Sequence, residues 1–185
     1  MVYVLKYRKQ GQEDGAFKFS YKGCLSIMKK HTCCFSGHRG LPEQELPAIQ
    51  ALLKEQIVAL IKRGVVQFCT GGALGFDTLA AIAVLDLKEH FPQIRLSLFL
   101  PCQDQASLWR EKQDIDLYDY ILNQADSVSY ACERYTKWCM FARNRMLVDH
   151  SAYCICYMTK PSGGTAYTVN YAQKKGLRVI NLANV

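Results

Sequence analysis

The chain has 185 residues, of which 50% are hydrophobic and 21% are charged, so it suits one globular domain with a sizeable core. No run of 18 uncharged apolar residues is present, and the start MVYVLKYRKQ lacks the apolar core and cleavage site of a secretory signal. A cytoplasmic protein that does not insert in a membrane is therefore predicted. The net charge of +7 fits an anionic ligand or nucleic acid, and it is also common among ordinary soluble proteins.

The first 27 residues differ from the rest of the chain. Residues 1–27 mix polar and aromatic residues and show neither helical nor strand periodicity of useful length. At Met28 a basic pair and a short apolar strand begin a new pattern. We interpret residues 1–27 as an extension that is non-native or poorly packed, and residues 28–185 as one domain. An ordered amino-terminal hairpin is the alternative.

From residue 32 onward, strands alternate with helices. The predicted elements, in chain order, are a strand at 32–36, a helix within 43–64, a strand at 65–69, a helix at 75–90, a strand at 94–100, a helix at 107–123, a strand at 126–131, a helix at 137–149, a strand at 152–158, a helix at 165–175 and a strand at 177–182. Several of the strands are apolar on both faces, which is typical of a parallel sheet covered by helices on both sides. The sequence predicts a Rossmann-like, doubly wound α/β domain with a mostly parallel sheet.

The nine cysteines give no sign of disulfides or of a metal site. Five of them, Cys33, Cys34, Cys69, Cys154 and Cys156, lie inside apolar runs. No CxxC pair is present, and no spacing of cysteine and histidine fits zinc. Reduced, buried thiols are predicted, with no metal and no required cofactor.

Polar or glycine-rich clusters follow three of the predicted strands, each directly before a helix. In such folds, ligands bind at the carboxyl ends of the strands, where the strand order reverses. The predicted ligand-binding residues are Ser36, Gly37, His38, Arg39, Thr70, Gly71, Gly72, Gly75, Asp77, Arg143, Asn144, Ser162, Gly163, Gly164 and Thr165. Three clusters on one edge of the sheet indicate a shared binding site.

The two glycine turns favour an anion. Gly71 and Gly72 let backbone amides approach a phosphate or carboxylate, aided by the positive end of the next helix. The spacing matches neither GxGxxG nor a GK[ST] loop, and a turn that serves packing alone is the alternative. Gly163 and Gly164 form a second such turn, where Thr165 is either a helix cap or a ligand contact.

Charged residues beside these turns also have two interpretations each. Arg39 can bind a phosphate with both guanidinium nitrogens, whereas His38 in a loop is more often structural. Asp77 either contacts a sugar or complements the helix dipole.

The helix at 137–149 carries charge among apolar residues. Arg143 and Asn144 project toward the predicted edge and can hold a phosphate or ribose. Arg145 and Asp149 are spaced i, i+4, so a surface ion pair explains them.

Four motifs together resemble a known family. The segments 34–39 (CFSGHR), 69–81 (CTGGALGFDTLAA), 142–153 (ARNRMLVDHSAY) and 163–176 (GGTAYTVNYAQKKG) are similar to the YpsA-like family of bacterial proteins. That family belongs to the SLOG superfamily, with the lonely-guy phosphoribohydrolases and DNA-processing protein A. The resemblance covers about residues 30–183. It implies a Rossmann-like fold that binds a nucleotide or nucleotide-derived ligand.

The chain departs from the lonely-guy pattern at the position that bears on catalysis. The lonely-guy enzymes have an arginine on the helix before a PGGxGTxxE segment. The resemblance places Arg143 or Arg145 of this chain at the position of that arginine. Thr168 stands where the resemblance places the catalytic glutamate, and threonine cannot act as a carboxylate base. The prediction leans away from an enzyme, with Asp77 and Arg143 as the remaining catalytic candidates.

Three functions follow, in decreasing order of support. The first is a sensor or regulatory protein that binds a nucleotide or ADP-ribose-like small molecule. The second is a phosphoribohydrolase-like enzyme, and the third is a DNA-binding protein, suggested by the charge and by RYTKW at 134–138. In the first, the amides of Gly71, Gly72, Gly163 and Gly164 with Arg39 and Arg143 hold the anion, and Asp77, Asn144 and Thr165 contact a sugar. A homo-oligomer is compatible with each.

Overall fold

A computed structural model of the protein describes residues 28–107, 109–134, 136 and 138–184, so the proposed extension at 1–27 lies outside it. One six-stranded sheet forms the centre of this described part. Its strands are β1 (Thr32–Gly37), β2 (Gln67–Thr70), β3 (Arg95–Leu100), β4 (Ser127–Tyr130), β5 (Tyr153–Tyr157) and β6 (Arg178–Asn181). The helices between them are α1 (Leu46–Ile61), α2 (Phe76–Lys88), α3 (Lys112–Gln124), α4 (Cys139–Asp149) and α5 (Gly163–Lys174).

All neighbouring strands pair in parallel, in the order β4-β3-β2-β1-β5-β6. The chain moves outward from β1 to β4 and then returns to the other side of β1 with β5. Right-handed crossovers therefore place α1, α2 and α3 on one face, and α4 and α5 on the other. The strand order reverses between β1 and β5, which makes the edge beyond these two strands the expected ligand crevice.

Each face of the sheet has its own hydrophobic core. On one face, Leu53 of α1, Ala80 of α2 and Ile121 of α3 belong to a single buried cluster. On the other, Leu147 of α4 and Val169 of α5 pack in a second cluster. Helices on both faces of an all-parallel sheet confirm the predicted Rossmann-like fold of a single domain.

Some element boundaries differ from the prediction for identifiable reasons. The third helix begins at Lys112 instead of 107, because Trp109 packs against Tyr118 of the helix, with ring centroids 5.1 Å apart. The last helix begins at Gly163 instead of 165, so Ser162 is its N-cap residue. The prediction of Thr165 as a cap is therefore wrong, because Thr165 lies inside the first turn.

Two further findings concern the described part of the chain. None of its helices is both long and apolar enough to span a membrane. The cysteines that it contains are free thiols, and all of them are buried except the half-buried Cys132.

Candidate functional site

A cavity of about 350 Å³ lies at the carboxyl edge of the sheet, beside the switch between β1 and β5. Nine of the residues predicted from the sequence line it: Ser36, Gly37, His38, Arg39, Asp77, Arg143, Asn144, Gly164 and Thr165. Four others complete the described lining, namely Phe35, Ala73, Met140 and Leu147. We call this space the edge cavity. The other six predicted residues, Thr70, Gly71, Gly72, Gly75, Ser162 and Gly163, are outside its lining.

The four lining residues that the sequence did not single out are uncharged. Met140 and Leu147 belong to α4, and Ala73 lies in the first glycine turn. Of these four residues, Met140 could have been inferred to line the cavity, since it precedes Arg143 by three residues and shares its helix face.

A buried ion pair forms the charged part of the edge cavity. Asp77 at the start of α2 is 6% exposed, and Arg143 on α4 is 7% exposed. The Arg143 Nη1 atom lies 3.5 Å from Asp77 Oδ2, and the Ala73 amide donates to the same oxygen at 3.3 Å. These two residues are 66 positions apart in the chain, so only the packing of α4 across the sheet edge brings them together.

Both partners of this pair are shifted toward their neutral forms. Burial raises the pKa of Asp77 above its usual value, although Arg143 and the Ala73 amide act in the opposite direction. Burial likewise lowers the pKa of Arg143, although Asp77 opposes that shift. The loss of solvation thus exceeds the attraction between the charges, as is common for buried ion pairs.

The hydrogen-bonding capacity of Arg143 is poorly used. Its buried Nε atom has no hydrogen-bond partner among the described residues, and Nη2 contacts only the Met140 sulfur, at 3.8 Å. The exposed Arg39 adds a second cation to the lining and itself lowers the pKa of Asp77. Two guanidinium groups therefore face one carboxylate, which leaves the edge cavity with an excess positive charge that favours an anion.

The glycines of the first turn pack closely against other parts of the protein. A Cβ atom on Gly71 would collide with the guanidinium of Arg143, and one on Gly75 would collide with the backbone of His38 and Arg39. Gly72 packs near Leu100, and its carbonyl accepts a hydrogen bond from the Gln105 side chain. This turn positions Arg143 and the segment after β1, so its glycines serve packing in this structure.

The second glycine turn is open. Apart from the adjacent residues and the backbone of α5 itself, no atom of the described residues would lie within 4 Å of a Cβ added to Gly163 or Gly164. Both glycines belong to the first turn of α5. Ser162, the N-cap residue, makes no side-chain capping bond. The unpaired amides and the helix dipole at this end are suited to a negatively charged group.

Thr168 is a structural residue of α5. It is 1% exposed, and its hydroxyl donates to the Gly164 carbonyl at 2.9 Å. The hydroxyl group therefore satisfies a helix carbonyl one turn earlier, and the described lining of the edge cavity does not include Thr168.

His38 is held in place by the loop after β5. Its Nε2 atom accepts a hydrogen bond from the Thr159 amide at 3.0 Å, so Nδ1 carries the proton of the neutral ring. The ring also packs edge-on against Tyr157 at a centroid distance of 6.4 Å. His38 thus joins the ends of β1 and β5 while lining the edge cavity.

On the outer face of α4 and α5, Arg145 and Asp149 have other partners than the predicted ion pair. Arg145 donates to the Tyr167 hydroxyl at 2.7 Å and lies over the ring of Tyr171. Asp149 instead pairs with Lys175 at 3.0 Å and accepts from the Tyr171 hydroxyl. The expected pairing of Arg145 with Asp149 is wrong, because the tyrosines of α5 are the partners of Arg145, and Lys175, just after α5, pairs with Asp149.

Among the described residues, no group of three or more histidine, cysteine, aspartate or glutamate side chains is placed to hold a metal ion. In the lining of the edge cavity, guanidinium and amide donors outnumber the single carboxylate.

Comparison with known proteins shows that the chain is similar to one protein family. The profile of the YspA SLOG family matches residues 37–181. A UPF0398 protein from Bacillus pumilus is 31% identical over 140 residues, which cover 72% of this chain and 75% of that protein.

Two solved structures share the fold. DNA processing protein A from Helicobacter pylori has a TM-score of 0.60 at 21% identity, over 84% of this chain and 66% of that one. Its counterpart from Streptococcus pneumoniae has a TM-score of 0.61 at 20% identity, over 83% of this chain and 50% of that one. The chain thus spans about two thirds of the length of the Helicobacter pylori protein and half of the length of the Streptococcus pneumoniae protein.

Proposed function

The chain belongs to the YspA SLOG family, and we propose that its edge cavity binds the sugar phosphate of a nucleotide-derived small molecule. Arg39, Arg143 and the amino end of α5 receive the phosphate. Asn144 and Thr165, both in the lining, supply polar contacts to the sugar. In this proposal the protein is a ligand-binding sensor or regulatory protein.

The observation that carries the proposal is the incompletely compensated Arg143. A buried guanidinium with an unpartnered Nε and a 3.5 Å contact to its carboxylate has donors to offer. An anion in the cavity would supply the counter-charge that Asp77 provides only in part. The open turn at Gly164 lines the same space and adds backbone donors.

The proposal is tested by calorimetry with ribose 5-phosphate, AMP and ADP-ribose. Arg39→Ala should weaken the binding of those compounds that bind by at least about tenfold, since a hydrogen bond to a charged group contributes about 1.5–3 kcal/mol. Arg145→Ala is the matched control, because this exposed arginine lies on the outer side of α4. Equal affinities of wild type and Arg39→Ala would contradict the proposal.

Hydrolysis of a nucleotide is a second candidate, and the position of Asp77 favours it. Its carboxylate lines the edge cavity, and its pKa is raised, as in many general bases. Incubation with nucleoside monophosphates and analysis for free base tests this function. Release of base by wild type and not by Asp77→Asn would identify an enzyme.

Single-stranded nucleic acid is a third candidate, since the Helicobacter pylori protein is described by its single-stranded DNA binding mode. Here a row of rings, Trp138, Phe141, Tyr167 and Tyr171, crosses α4 and α5 beside Arg145. Bases stack on such rings next to cations. Salt-sensitive quenching of Trp138 fluorescence by oligothymidylate, absent in Trp138→Phe, would support it.

A further inference from the structure

A second cavity of about 460 Å³ lies at the same edge of the sheet, on the face of α1. Its apolar wall includes Ile49 and Leu52 of α1 and Leu182 after β6. Its polar groups include Glu45 and Tyr157. No residue of this second cavity was among the site residues predicted from the sequence.

One imidazole ring, that of His38, connects the linings of the two cavities. His38 lines the edge cavity, while Tyr157 and Thr159 line the second. The Thr159 amide donates to His38 Nε2 at 3.0 Å, and the rings of His38 and Tyr157 are 6.4 Å apart. Both cavities are lined by residues at the ends of β1 or β5, the strands between which the order reverses and where ligands bind in such folds.

The two cavities have opposite charge preferences. Arg39 and Arg143 make the edge cavity suited to a phosphate. In the second cavity the charged group is Glu45, whose Oε2 atom accepts from the Tyr157 hydroxyl at 2.9 Å. A carboxylate has about four acceptor positions and no donor, so it binds N–H groups and repels phosphate.

Apolar walls around a single fixed carboxylate suit a flat, weakly polar ring that carries N–H donors. A nucleobase with an exocyclic amino group has this chemistry, and burial of its faces against aliphatic side chains is favourable. The Tyr157 hydroxyl holds one oxygen of Glu45 and leaves the other available.

We propose that the second cavity binds the amino-bearing base of the ligand whose sugar phosphate occupies the edge cavity, with Glu45 as the acceptor for the amino group. This assignment rests on the proposed function and narrows it. The ligand is a nucleotide with an aminopurine or aminopyrimidine base that crosses the sheet edge over His38.

Filling the second cavity from the surface tests the assignment. Ala48 is exposed on α1 and lines the cavity, so Ala48→Trp puts a large ring there without disturbing the core. We expect it to weaken AMP binding about tenfold, the loss of one buried group, and to leave ribose 5-phosphate binding unchanged. Ala51→Trp, at an exposed position of the same helix outside the lining, should change neither affinity.

The role of Glu45 is tested by its preference for the amino group. Wild type should bind AMP more tightly than purine riboside 5′-monophosphate, which lacks the amino group, and Glu45→Gln should reduce that ratio severalfold. Glu43→Gln, in the same short 3₁₀ turn, should preserve the ratio. Glu43 is outside the lining of the second cavity.

The possible failures are distinguishable. If wild type binds AMP and ribose 5-phosphate equally, or if Ala48→Trp leaves AMP binding intact, the second cavity does not hold the base, although the edge cavity still binds phosphate. If Arg39→Ala has no effect on either ligand, the proposed function fails, and this inference fails with it.

Discussion

The two glycine turns at the carboxyl edge use the same residue type for different purposes. In the turn at 71–75, the glycines make room for protein atoms: the guanidinium of Arg143 beside Gly71 and the backbone of residues 38–39 beside Gly75. In the turn at 163–164, no packed atom from elsewhere in the described part of the chain comes within 4 Å of a Cβ placed on either glycine.

The two turns therefore have different roles: the first supports a side chain of the site, and the second is open to contact with a ligand. The closed turn fixes the position of Arg143, and the open turn exposes backbone donors at the start of α5. A ligand would therefore touch the second turn directly and depend on the first through Arg143. Four predictions sharpen this comparison, and they are ordered by the size of the expected effect.

The largest effect should come from the ion pair that the closed turn supports. Asp77→Ala removes the buried acceptor of two donors, the Ala73 amide and Arg143 Nη1, and should lower the free energy of unfolding by about 3–5 kcal/mol, since each unsatisfied buried donor costs about 1–3 kcal/mol. Urea unfolding measures the change. The control is Asp86→Ala, since Asp86 forms an exposed ion pair with Lys54 that should contribute less than about 1 kcal/mol. Similar losses in the two variants would mean that Asp77 does not stabilise Arg143.

A smaller loss should follow when a methyl group enters the closed turn. Gly75 has a φ of 78°, and its Cβ would meet the backbone of Arg39. Gly75→Ala should therefore cost about 3 kcal/mol, from an unfavourable backbone conformation and from overpacking. Thermal unfolding tests this expectation, and a melting temperature equal to that of wild type would show that the turn can relax.

A pH effect should follow from the raised pKa of Asp77. The folded protein holds this proton more tightly than the unfolded chain, so its contribution is fully present below pH 3.8 and is lost as the pH rises through the folded pKa. The slope is at most about 1.4 kcal/mol per pH unit, the value for one proton. Urea titrations across this range should show the slope in wild type and not in Asp77→Asn. Parallel curves would contradict the assignment.

The smallest effect on stability should come from the open turn. Gly164→Ala places a methyl group in free space and should change the free energy of unfolding by less than about 0.5 kcal/mol. Gly164 lines the edge cavity, so we expect the added methyl group to weaken AMP binding. A variant that binds AMP as tightly as wild type would show that the ligand does not approach Gly164.

Local patterns accounted for most of the fold. The apolar runs at Cys33–Phe35 and Cys154–Cys156 indicated strands buried on both faces, and these segments lie in β1 and β5 with no exposed surface. The start of α3 was missed because the segment before Lys112 is held by the Trp109 ring and by the bond from Gln105 to Gly72, both tertiary contacts.

The candidate site was also predicted only in part, because some of its residues follow from chain order and others from tertiary contacts. Residues at the end of a strand or just after it, such as Ser36 and Arg39, reach the carboxyl edge by chain order alone. The second cavity escaped notice because Glu45 and Tyr157 are 112 positions apart and neither belongs to a glycine-rich motif.

The sequence by itself determined the alternation of strands and helices, the edge at which the polar turns gather and the absence of a carboxylate at Thr168. Periodicity and strand direction are local properties, so they can be read along the chain. Only the tertiary structure decided that Gly71 makes room for Arg143, that Gly164 stays open and that His38, in the lining of one cavity, contacts the lining of another. Each of these depends on which distant side chain fills the space, and packing settles that once all the elements are assembled.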